Sequence, residues 1–236
     1  MDNAALITGS AKRIGKELAL ALAKSGVDLV IHYHKSKKEA EDLQEQIRKL
    51  NVKCELISGD LNQNCFESLI KEALEKMPHL NILINNASIF EPTPFLTTTE
   101  DQLKRHLNIN FIAPFFLTQN FAKIVKSGLV INFLDSKIKK TSKNYFSYLL
   151  SKKALADFTK MAAIELGPKI RVNSIAPGIT EFSLDIDDKN YLEKIVNNLP
   201  LKRIAKSSDI INAVKILIEN EYLTGQIIFV DGGESL

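Results

Sequence analysis

The pattern Tyr-x-x-Ser-Lys occurs twice in the sequence, from Tyr33 to Lys37 and from Tyr148 to Lys152. Tyr148 and Lys152 lie in a long helical pattern, where side chains four positions apart share one face. A lysine ammonium beside a phenol favours the phenolate and lowers the phenol pKa from about 10 towards neutrality. We therefore expect Tyr148 to act as a proton donor. Tyr33 lies at a strand end, where this spacing separates side chains, so we expect Tyr33 and Lys37 to be an ordinary surface pair.

A carboxylate stands at the end of another apolar run. The segment VINFL (130–134) is typical of a buried strand, and it leads directly into Asp135 and Ser136. An acid in this place is either a capped structural group or a working one. Ligands of parallel sheets bind beyond the carboxyl ends of the strands, which favours a working acid at Asp135.

The elements that must position these residues follow from hydrophobic periodicity. Seven short apolar runs predict strands, at 4–8, 27–33, 52–58, 81–85, 129–134, 170–175 and 226–230. Six helical segments lie between them, including 37–50, 99–124 and 145–166. This alternation predicts one α/β domain over 1–236, with a seven-stranded parallel sheet and helices on both faces.

Two loops are longer than the alternation of strands and helices requires. They are NASIFEPTPFLTT (86–98) and APGITEFSLDIDDKN (176–190). Both follow strands, so both should lie at the ligand edge of the sheet. Connections of this length in compact domains are often binding loops or lids.

The composition favours an ordinary globular protein without a polyanionic partner. Hydrophobic residues make up 45%, charged residues 25%, and the net charge is +3. We therefore expect neither a nucleic-acid partner nor a membrane, since no apolar run approaches the roughly 20 residues that a membrane span needs. Cys54 and Cys65 belong to no metal-ligand pattern, so we expect no metal and two reduced thiols in a cytoplasmic protein.

The turn after the first strand has the features of a nucleotide site. Gly9 and Gly15 bracket a turn that opens a helix. Glycine there lets backbone N–H groups approach a pyrophosphate, and the helix N-terminus favours its negative charge. Asp60, after the third strand, could accept a hydrogen bond from an adenine amino group. It could equally be the N-cap of the next helix.

The end of the second strand indicates which dinucleotide binds. Many NAD-binding domains place an acid there to hold the ribose 2′-hydroxyl, and this chain has none. It offers His34, Lys35 and Ser36 instead, with Lys12 and Arg13 in the glycine turn. Cations and a hydroxyl suit a 2′-phosphate, so we expect NADPH rather than NADH. The alternative is that the lysines simply begin a solvated helix.

Six motifs in order along the chain resemble one family. They are TGSAKRIG (8–15), NNAS (85–88), LNIN (107–110), YLLSK (148–152), RVNSIAPG (171–178) and TGQIIFVDGG (224–233). Together they make the chain resemble the short-chain dehydrogenase/reductase family from end to end. The resemblance implies a Rossmann-type, doubly wound sheet and NAD(P)(H)-dependent reduction of a carbonyl or imine.

The resemblance also implies roles for single residues. Tyr148 would be the acid, and Lys152 would lower its pKa and hold the nicotinamide ribose. Asn110 matches the asparagine that kinks helix four and orders a proton-relay water, and Asn85 and Ala87 match residues that frame the adenine-side ribose. The remaining implied cofactor contacts are Ile14, Leu61, Pro177 and Gly178.

Two positions depart from the family pattern. The usual glycine before Ile14 is Arg13, and the position of the catalytic serine, thirteen residues before the tyrosine, is Asp135. Ser136 stands one residue late, and a register shift could still make it the serine. Both departures resemble the pteridine reductase branch and the bacterial dihydrofolate/dihydropteridine reductases of the same fold. Reducing a C=N bond requires a proton at nitrogen, which a carboxyl group beside Tyr148 can shuttle.

The two long loops supply candidates for substrate contact. Phe90 matches the phenylalanine that holds a flat pterin against the nicotinamide in that branch, although it could also pack under its own loop. Ser88 and Arg13 would contact the cofactor phosphates or the pterin. No motif assigns the second loop, whose candidate covering residues are Glu181, Phe182, Leu184, Asp185, Asp187 and Asp188.

Three functions remain open from the sequence. The first is an NADPH-dependent pteridine or dihydrofolate reductase using Asp135 and Tyr148. The second is a general carbonyl reductase, such as a 3-oxoacyl-carrier-protein reductase, using Ser136. The third is an NADPH-binding regulatory protein with vestigial catalysis. By resemblance, we expect a homotetramer formed through the helices at 99–124 and 145–166.

Overall fold

The computed structural model describes residues 3–182 and 189–236. Its strands are β1 (Ala4–Ile7), β2 (Asp28–Tyr33), β3 (Cys54–Ser58), β4 (Ile82–Asn85), β5 (Gly128–Phe133), β6 (Ile170–Pro177) and β7 (Ile227–Val230). Its helices are α1 (Arg13–Lys24), α2 (Lys37–Arg48), α3 (Phe66–Lys76), α4 (Glu100–Leu107), α5 (Ala113–Ile124), α6 (Phe146–Leu166), α7 (Lys189–Asn198) and α8 (Ser207–Glu219).

The strands form one parallel sheet in the order β3-β2-β1-β4-β5-β6-β7. This confirms the predicted seven-stranded, doubly wound architecture within the described residues. Strand order reverses between β1 and β4, so the connections after these strands diverge and leave a crevice at their carboxyl ends. The cofactor and substrate candidates follow the ends of the strands and therefore lie along this edge.

Each face of the sheet is covered by helices because successive strand residues point to opposite sides. On β1, Ala5 and Ile7 pack in the cluster beneath α1, α2 and α8. Ala4 and Leu6 pack in the other cluster, beneath α3, α5 and α6. Both faces are buried, which explains why the strands read as continuous apolar runs.

The segment predicted as one helix at 99–124 is interrupted. Thr99 begins α4 with a capping box that it shares with Gln102. A π-helical turn over Asn108–Ile112 then joins α4 to α5. Pro114, the second residue of α5, has no N–H, so the carbonyl of Asn110 cannot receive the regular hydrogen bond from four residues later. Such bulges are frequent at functional sites.

The connection from β6 to β7 holds two helices, α7 and α8. The long loop predicted at 176–190 overlaps α7 by two residues, since α7 begins at Lys189. A short 3-10 turn at Ser136–Lys139 also follows β5. No helix in the described ranges is long and apolar enough to cross a membrane.

Candidate active site

The side chains of Asp135 and Tyr148 meet at the carboxyl end of β5. Tyr148 Oη donates a hydrogen bond to Asp135 Oδ2 at 2.7 Å. The other carboxylate oxygen, Oδ1, accepts from the backbone N–H of Lys137 at 2.8 Å and so caps the 3-10 turn. Asp135 therefore caps the 3-10 turn with one carboxylate oxygen and contacts the Tyr148 phenol with the other.

Ser136, the alternative catalytic hydroxyl, points elsewhere. Its side chain is buried, and its Oγ donates to Glu234 Oε2 at 3.1 Å. Tyr148 is hydrogen-bonded to Asp135 instead. Asp135 therefore contacts Tyr148, as the sequence predicted, and the alternative residue Ser136 does not.

The expected lowering of the Tyr148 pKa is wrong for this structure. Burial and the neighbouring Asp135 carboxylate raise the pKa of Tyr148 well above its usual value of 10. Lys152 Nζ lies 5.9 Å from the centre of the Tyr148 ring and donates to the carbonyl of Phe133 at 2.7 Å. Tyr148 is therefore protonated at neutral pH, which is the state that a proton donor requires.

Lys152 is itself affected by its position. Burial lowers the pKa of Lys152 from 10.5 to about 8, and the Asp135 charge opposes this. The ammonium therefore begins to lose its charge just above neutral pH. Lys152 and Tyr148 share one face of α6, as their spacing predicted.

Asn110 joins three segments from the π-helical turn. Its Oδ1 accepts from Ser88 Oγ at 3.1 Å and from the backbone N–H of Ile89 at 2.9 Å. Its Nδ2 donates to the carbonyl of Ile89 at 3.0 Å and to Ser151 Oγ at 3.1 Å. Asn110 thus holds the start of the loop after β4 against α6, one helical turn from Tyr148.

Phe90 lies in the same site. Its ring stacks on Tyr145 with centroids 4.4 Å apart, and meets Tyr148 edge-on at 4.7 Å. Lys137 Nζ lies 5.2 Å from the Phe90 ring centroid. The side chain is 48% exposed, so it is not buried under its own loop. An aromatic wall therefore stands beside the Asp135–Tyr148 pair.

The glycine turn packs against the segment after β4. Gly9 has φ +62°, and a Cβ there would lie 3.0 Å from Ala87. A Cβ at Gly15 would lie 2.8 Å from Asn86 Nδ2 and from Ser10 Cα. Arg13, in place of the family's glycine, also adopts a left-handed backbone, with φ +53°. The turn therefore keeps the backbone shape that glycine would favour, with a guanidinium added.

His32, which the sequence reasoning missed, forms a hydrogen bond with the glycine turn. It is buried in β2, and its Nδ1 accepts from the backbone N–H of Gly9 at 3.2 Å. That bond requires the proton on Nε2, which donates to the carbonyl of Gly59 at 3.2 Å. Burial lowers the pKa of His32 from 6.5 to about 4, so the ring is neutral. A histidine inside the apolar run LVIHY was the available signal.

The residues predicted for the 2′-phosphate gather at the end of β2, and two of them have acidic neighbours. Lys12 Nζ lies 2.7 Å from Glu39 Oε1, and His34 Nε2 lies 3.9 Å from Asp60 Oδ2. Lys35 is exposed. Ser36 is the N-cap of α2 without a side-chain cap bond, leaving its hydroxyl uncommitted to the helix.

Asp60 is not the N-cap of α3. That position belongs to Cys65, five residues later. Asp60 Oδ1 instead accepts from the backbone N–H of Asn62 at 3.0 Å, closing a local turn beside His34. Its position at the carboxyl end of β3 is compatible with an adenine contact.

The other predicted cofactor residues differ in how deeply they are buried. Asn85 is buried, and its Nδ2 donates to Asn132 Oδ1 at 2.8 Å across β4 and β5, so its side chain supports the strands and does not line the cleft. Leu61 is buried, and Ile14 packs against the core. Pro177 ends β6, and Gly178 follows at the same edge.

The second long loop is described only in part. Leu184, Asp185, Asp187 and Asp188 lie outside the described residues. Glu181 Oε1 accepts from the backbone N–H of Ser207 at 3.0 Å, so it contacts the start of α8. The other Tyr-x-x-Ser-Lys pattern is not part of the site, since Lys37 begins α2 and pairs with Glu41 at 3.8 Å.

Comparison with known proteins places this geometry in a family. A family model described as enoyl-(acyl carrier protein) reductase matches residues 9–235. The hydroxynaphthalene reductase-like protein Arp2 of Metarhizium anisopliae is 33% identical, over 97% of this chain and 93% of its own length. The chain belongs to the short-chain dehydrogenase/reductase family. It is therefore an NAD(P)-dependent oxidoreductase.

Other short-chain reductases match over the same length. The 3-oxoacyl-[acyl-carrier-protein] reductase FabG of Staphylococcus epidermidis is 28% identical, over 99% of both chains. The solved structure of FolM alternative dihydrofolate reductase 1 from Brucella canis, complexed with NADP, has a TM-score of 0.91. It is 32% identical, over 98% of this chain and 93% of that chain.

Proposed function

We propose that the protein is an NADPH-dependent pteridine reductase, acting on a dihydropterin, a dihydrofolate or an oxidised pterin. The observation that carries the proposal is the 2.7 Å hydrogen bond from Tyr148 Oη to Asp135 Oδ2, at the position where a carbonyl-reducing member has a serine. The structural similarity to the Brucella canis FolM reductase supports the same reading.

The residues around the glycine turn fit NADPH. Gly15 lies in the first turn of α1 and packs too closely against Ser10 and Asn86 to admit a Cβ. The N-terminus of α1 at this turn suits a pyrophosphate. Lys12, His34 and Lys35 surround the end of β2, where the ribose 2′-phosphate would lie. Lys152 would hold the nicotinamide ribose. NADPH, when bound, supplies the hydride.

The chain's own residues supply the proton. Reduction of a C=N bond places a hydride on carbon and a proton on nitrogen, leaving a C–N single bond and NADP⁺. Tyr148 holds the proton on Oη, and the carboxyl of Asp135 relays it to the ring nitrogen. The buried Lys152 ammonium then stabilises the negative charge left on this pair.

Phe90 would orient a planar substrate. Its ring borders the Asp135–Tyr148 pair, and half of its surface is exposed. A flat heterocycle can stack on an aromatic face while its edge meets the carboxylate. A carbonyl substrate needs only a hydroxyl at its oxygen, whereas a pterin presents several ring nitrogens to an acid.

The test follows NADPH oxidation with dihydrobiopterin, dihydrofolate, biopterin, folate and an acetoacetyl thioester. We expect turnover of at least one pteridine by the wild type. Asp135→Ser should lower kcat by roughly 100-fold or more, because it removes the proton relay. NADPH affinity, measured by fluorescence titration, should stay within about threefold, since the phosphate contacts lie elsewhere.

Ser136→Ala is the matched control, because it removes the neighbouring hydroxyl that faces Glu234. We expect it to retain far more pteridine turnover than Asp135→Ser. Reaction of the thioester alone, or a gain in ketone turnover by Asp135→Ser without any pteridine loss, would refute the proposal.

A general carbonyl reductase is the second candidate. It is favoured by the relatives, since Arp2 and FabG are named as reductases of other substrates. The thioester arm of the same assay tests it. A catalytically vestigial NADPH-binding regulator is the third, and the presence of Asn110, Tyr148 and Lys152 in one site argues against it. Only the absence of turnover across the whole panel would favour it.

A further inference from the structure

The side chain of Glu234 lies between the ends of β5 and β6. Its Oε2 accepts from Ser136 Oγ at 3.1 Å, just beyond β5. The same oxygen accepts from the backbone N–H of Ile179 at 3.3 Å, just beyond β6. One carboxylate oxygen near the C-terminus therefore bridges the two loops that flank the reaction end of the cleft.

The backbone of Glu234 holds the far end of the 3-10 turn. Lys140 Nζ donates to the carbonyl oxygen of Glu234. The turn spans Ser136–Lys139, so Glu234 is tied by its side chain to the first residue and by its backbone to the residue after the last. These two contacts hold both ends of the 3-10 turn in place.

The segment that carries Glu234 is itself ordered by a local network. Asp231 Oδ1 accepts from the backbone N–H of Gly233 at 3.0 Å, and Oδ2 accepts from that of Ser235 at 2.9 Å. A Cβ at Gly178 would lie 2.7 Å from Asp231 Cα and 2.9 Å from Glu234 Oε2. The glycine therefore permits the close approach that brings the carboxylate to Ile179.

The turn in question is the one that orients Asp135. The Lys137 N–H within it holds Asp135 Oδ1, which leaves Oδ2 for the Tyr148 phenol. A shift of the turn would therefore rotate the carboxylate away from the phenol. Misplacement of a reacting group by about 1 Å can cost on the order of 100-fold in rate.

We propose that Glu234 is a positioning residue, which fixes the 3-10 turn so that the Asp135 carboxylate meets Tyr148 beside the loop after β6. It contacts neither reacting group directly and acts through Ser136, Lys140 and Ile179. This inference rests on the proposed role of the Asp135–Tyr148 pair.

The test compares Glu234→Ala, Glu234→Gln and Ser136→Ala in the full chain saturated with NADPH. Turnover is followed across pH with dihydrobiopterin, or with the acetoacetyl thioester if the wild type reduces only that. Glu234→Ala should lower kcat by roughly tenfold or more and shift the pH profile. Glu234→Gln should restore both, because its amide oxygen accepts the same two hydrogen bonds.

Ser136→Ala removes one anchor and keeps the other, so it should have a smaller effect. It tests the inference even if Glu234→Ala fails to fold. Combined with Glu234→Ala, it should lower kcat no further than Glu234→Ala alone, because the two changes break the same bond. Glu75→Ala, on the exposed face of α3, is the control for loss of a surface acid.

A readout without substrate separates this inference from the proposed function. Amide hydrogen exchange at Lys137 and Ile179 in the NADPH complex should accelerate in Glu234→Ala and not in Glu75→Ala. Unchanged exchange, or a kcat and pH profile within about twofold of wild type, would overturn the positioning role. A Gln variant as impaired as the Ala variant would also overturn it. Turnover of the thioester alone would refute the pteridine proposal and not the positioning role of Glu234.

Discussion

Burial and hydrogen bonding set the charge states of the titratable side chains around the cleft. Tyr148 keeps its proton because burial and the Asp135 carboxylate raise its pKa. Lys152, equally buried, has its pKa lowered to about 8. His32 is neutral because its own burial lowers its pKa. Each effect follows from desolvation of a charge, which raises the pKa of an acid and lowers that of a base.

A pH-dependent stability follows for His32. Its pKa is about 4 in the folded protein against 6.5 for the exposed ring. Between these values the unfolded chain binds a proton that the native state does not. The free energy of unfolding should therefore fall as pH drops from 6.5 to 4. At pH 5, the titration of His32 should lower it by about 2 kcal/mol.

The measurement is urea unfolding of the wild type and of His32→Gln at pH 7 and pH 5. We expect His32→Gln to be less stable at pH 7, because the Gly9 and Gly59 contacts are disturbed. Its further loss between pH 7 and pH 5 should be about 2 kcal/mol smaller than that of the wild type. An equal loss in the two proteins would show that His32 does not titrate as the structure requires.

At the scale of elements, the π-helical turn between α4 and α5 places Asn110 against two other segments. A regular helix would present a different face to Ile89 and Ser151. The interruption coincides with Pro114, which removes a backbone donor from the next turn. The local sequence thus produces the irregularity, and tertiary contacts with the loop after β4 and with α6 make use of it.

Replacing Asn110 by Ala tests this arrangement. The change removes the acceptor of the Ile89 N–H and one donor to the Ile89 carbonyl, while the Ser151 hydroxyl keeps its hydrogen bond to the carbonyl of Tyr148. We expect a loss of roughly 1–3 kcal/mol of unfolding free energy, because the Ile89 N–H is left without its partner. Amide exchange at Ile89 should also accelerate. Gln46→Ala, on the exposed side of α2, is the control. Stability equal to that of the control would contradict the bonding described.

At the scale of the whole molecule, the neighbouring helices α5 and α6 both carry exposed apolar side chains. Phe115 of α5 packs on Phe158 of α6 with ring centroids 4.9 Å apart. Around them the exposed apolar side chains are Phe116, Ile124, Leu150, Met161 and Ile164. Exposed apolar surface of this kind marks interaction sites. We propose that further copies of the chain cover it, as in the expected homotetramer.

Sedimentation of a Met161→Lys, Ile164→Lys double variant tests the assembly. These side chains are 69% and 85% exposed in one chain, so lysine should not disturb its folding. We expect the wild type to sediment as a tetramer and the variant as a smaller species, because charges would be buried in the contact. Glu75→Lys on α3 should sediment as the wild type does. Unchanged assembly of the double variant would place the interface elsewhere.

The sequence by itself determined the sheet, the main helical segments and the places of the candidate reacting groups along the chain. Apolar runs and helical periodicity depend on neighbours along the chain, so each strand was predicted to within two residues of its observed bounds. The spacing of Tyr148 and Lys152 and the position of Asp135 at the end of β5 could be read in the same way.

Only the tertiary structure decided what those groups do to each other. The Tyr148 pKa depends on burial and on a carboxylate thirteen residues away, and the sequence-based expectation had the wrong direction. Ser136 bonds with Glu234, 98 residues later, and His32 bonds with Gly9 and Gly59, which lie just beyond the neighbouring strands β1 and β3. Desolvation and these bonds arise where distant segments meet, and no local periodicity encodes such a meeting.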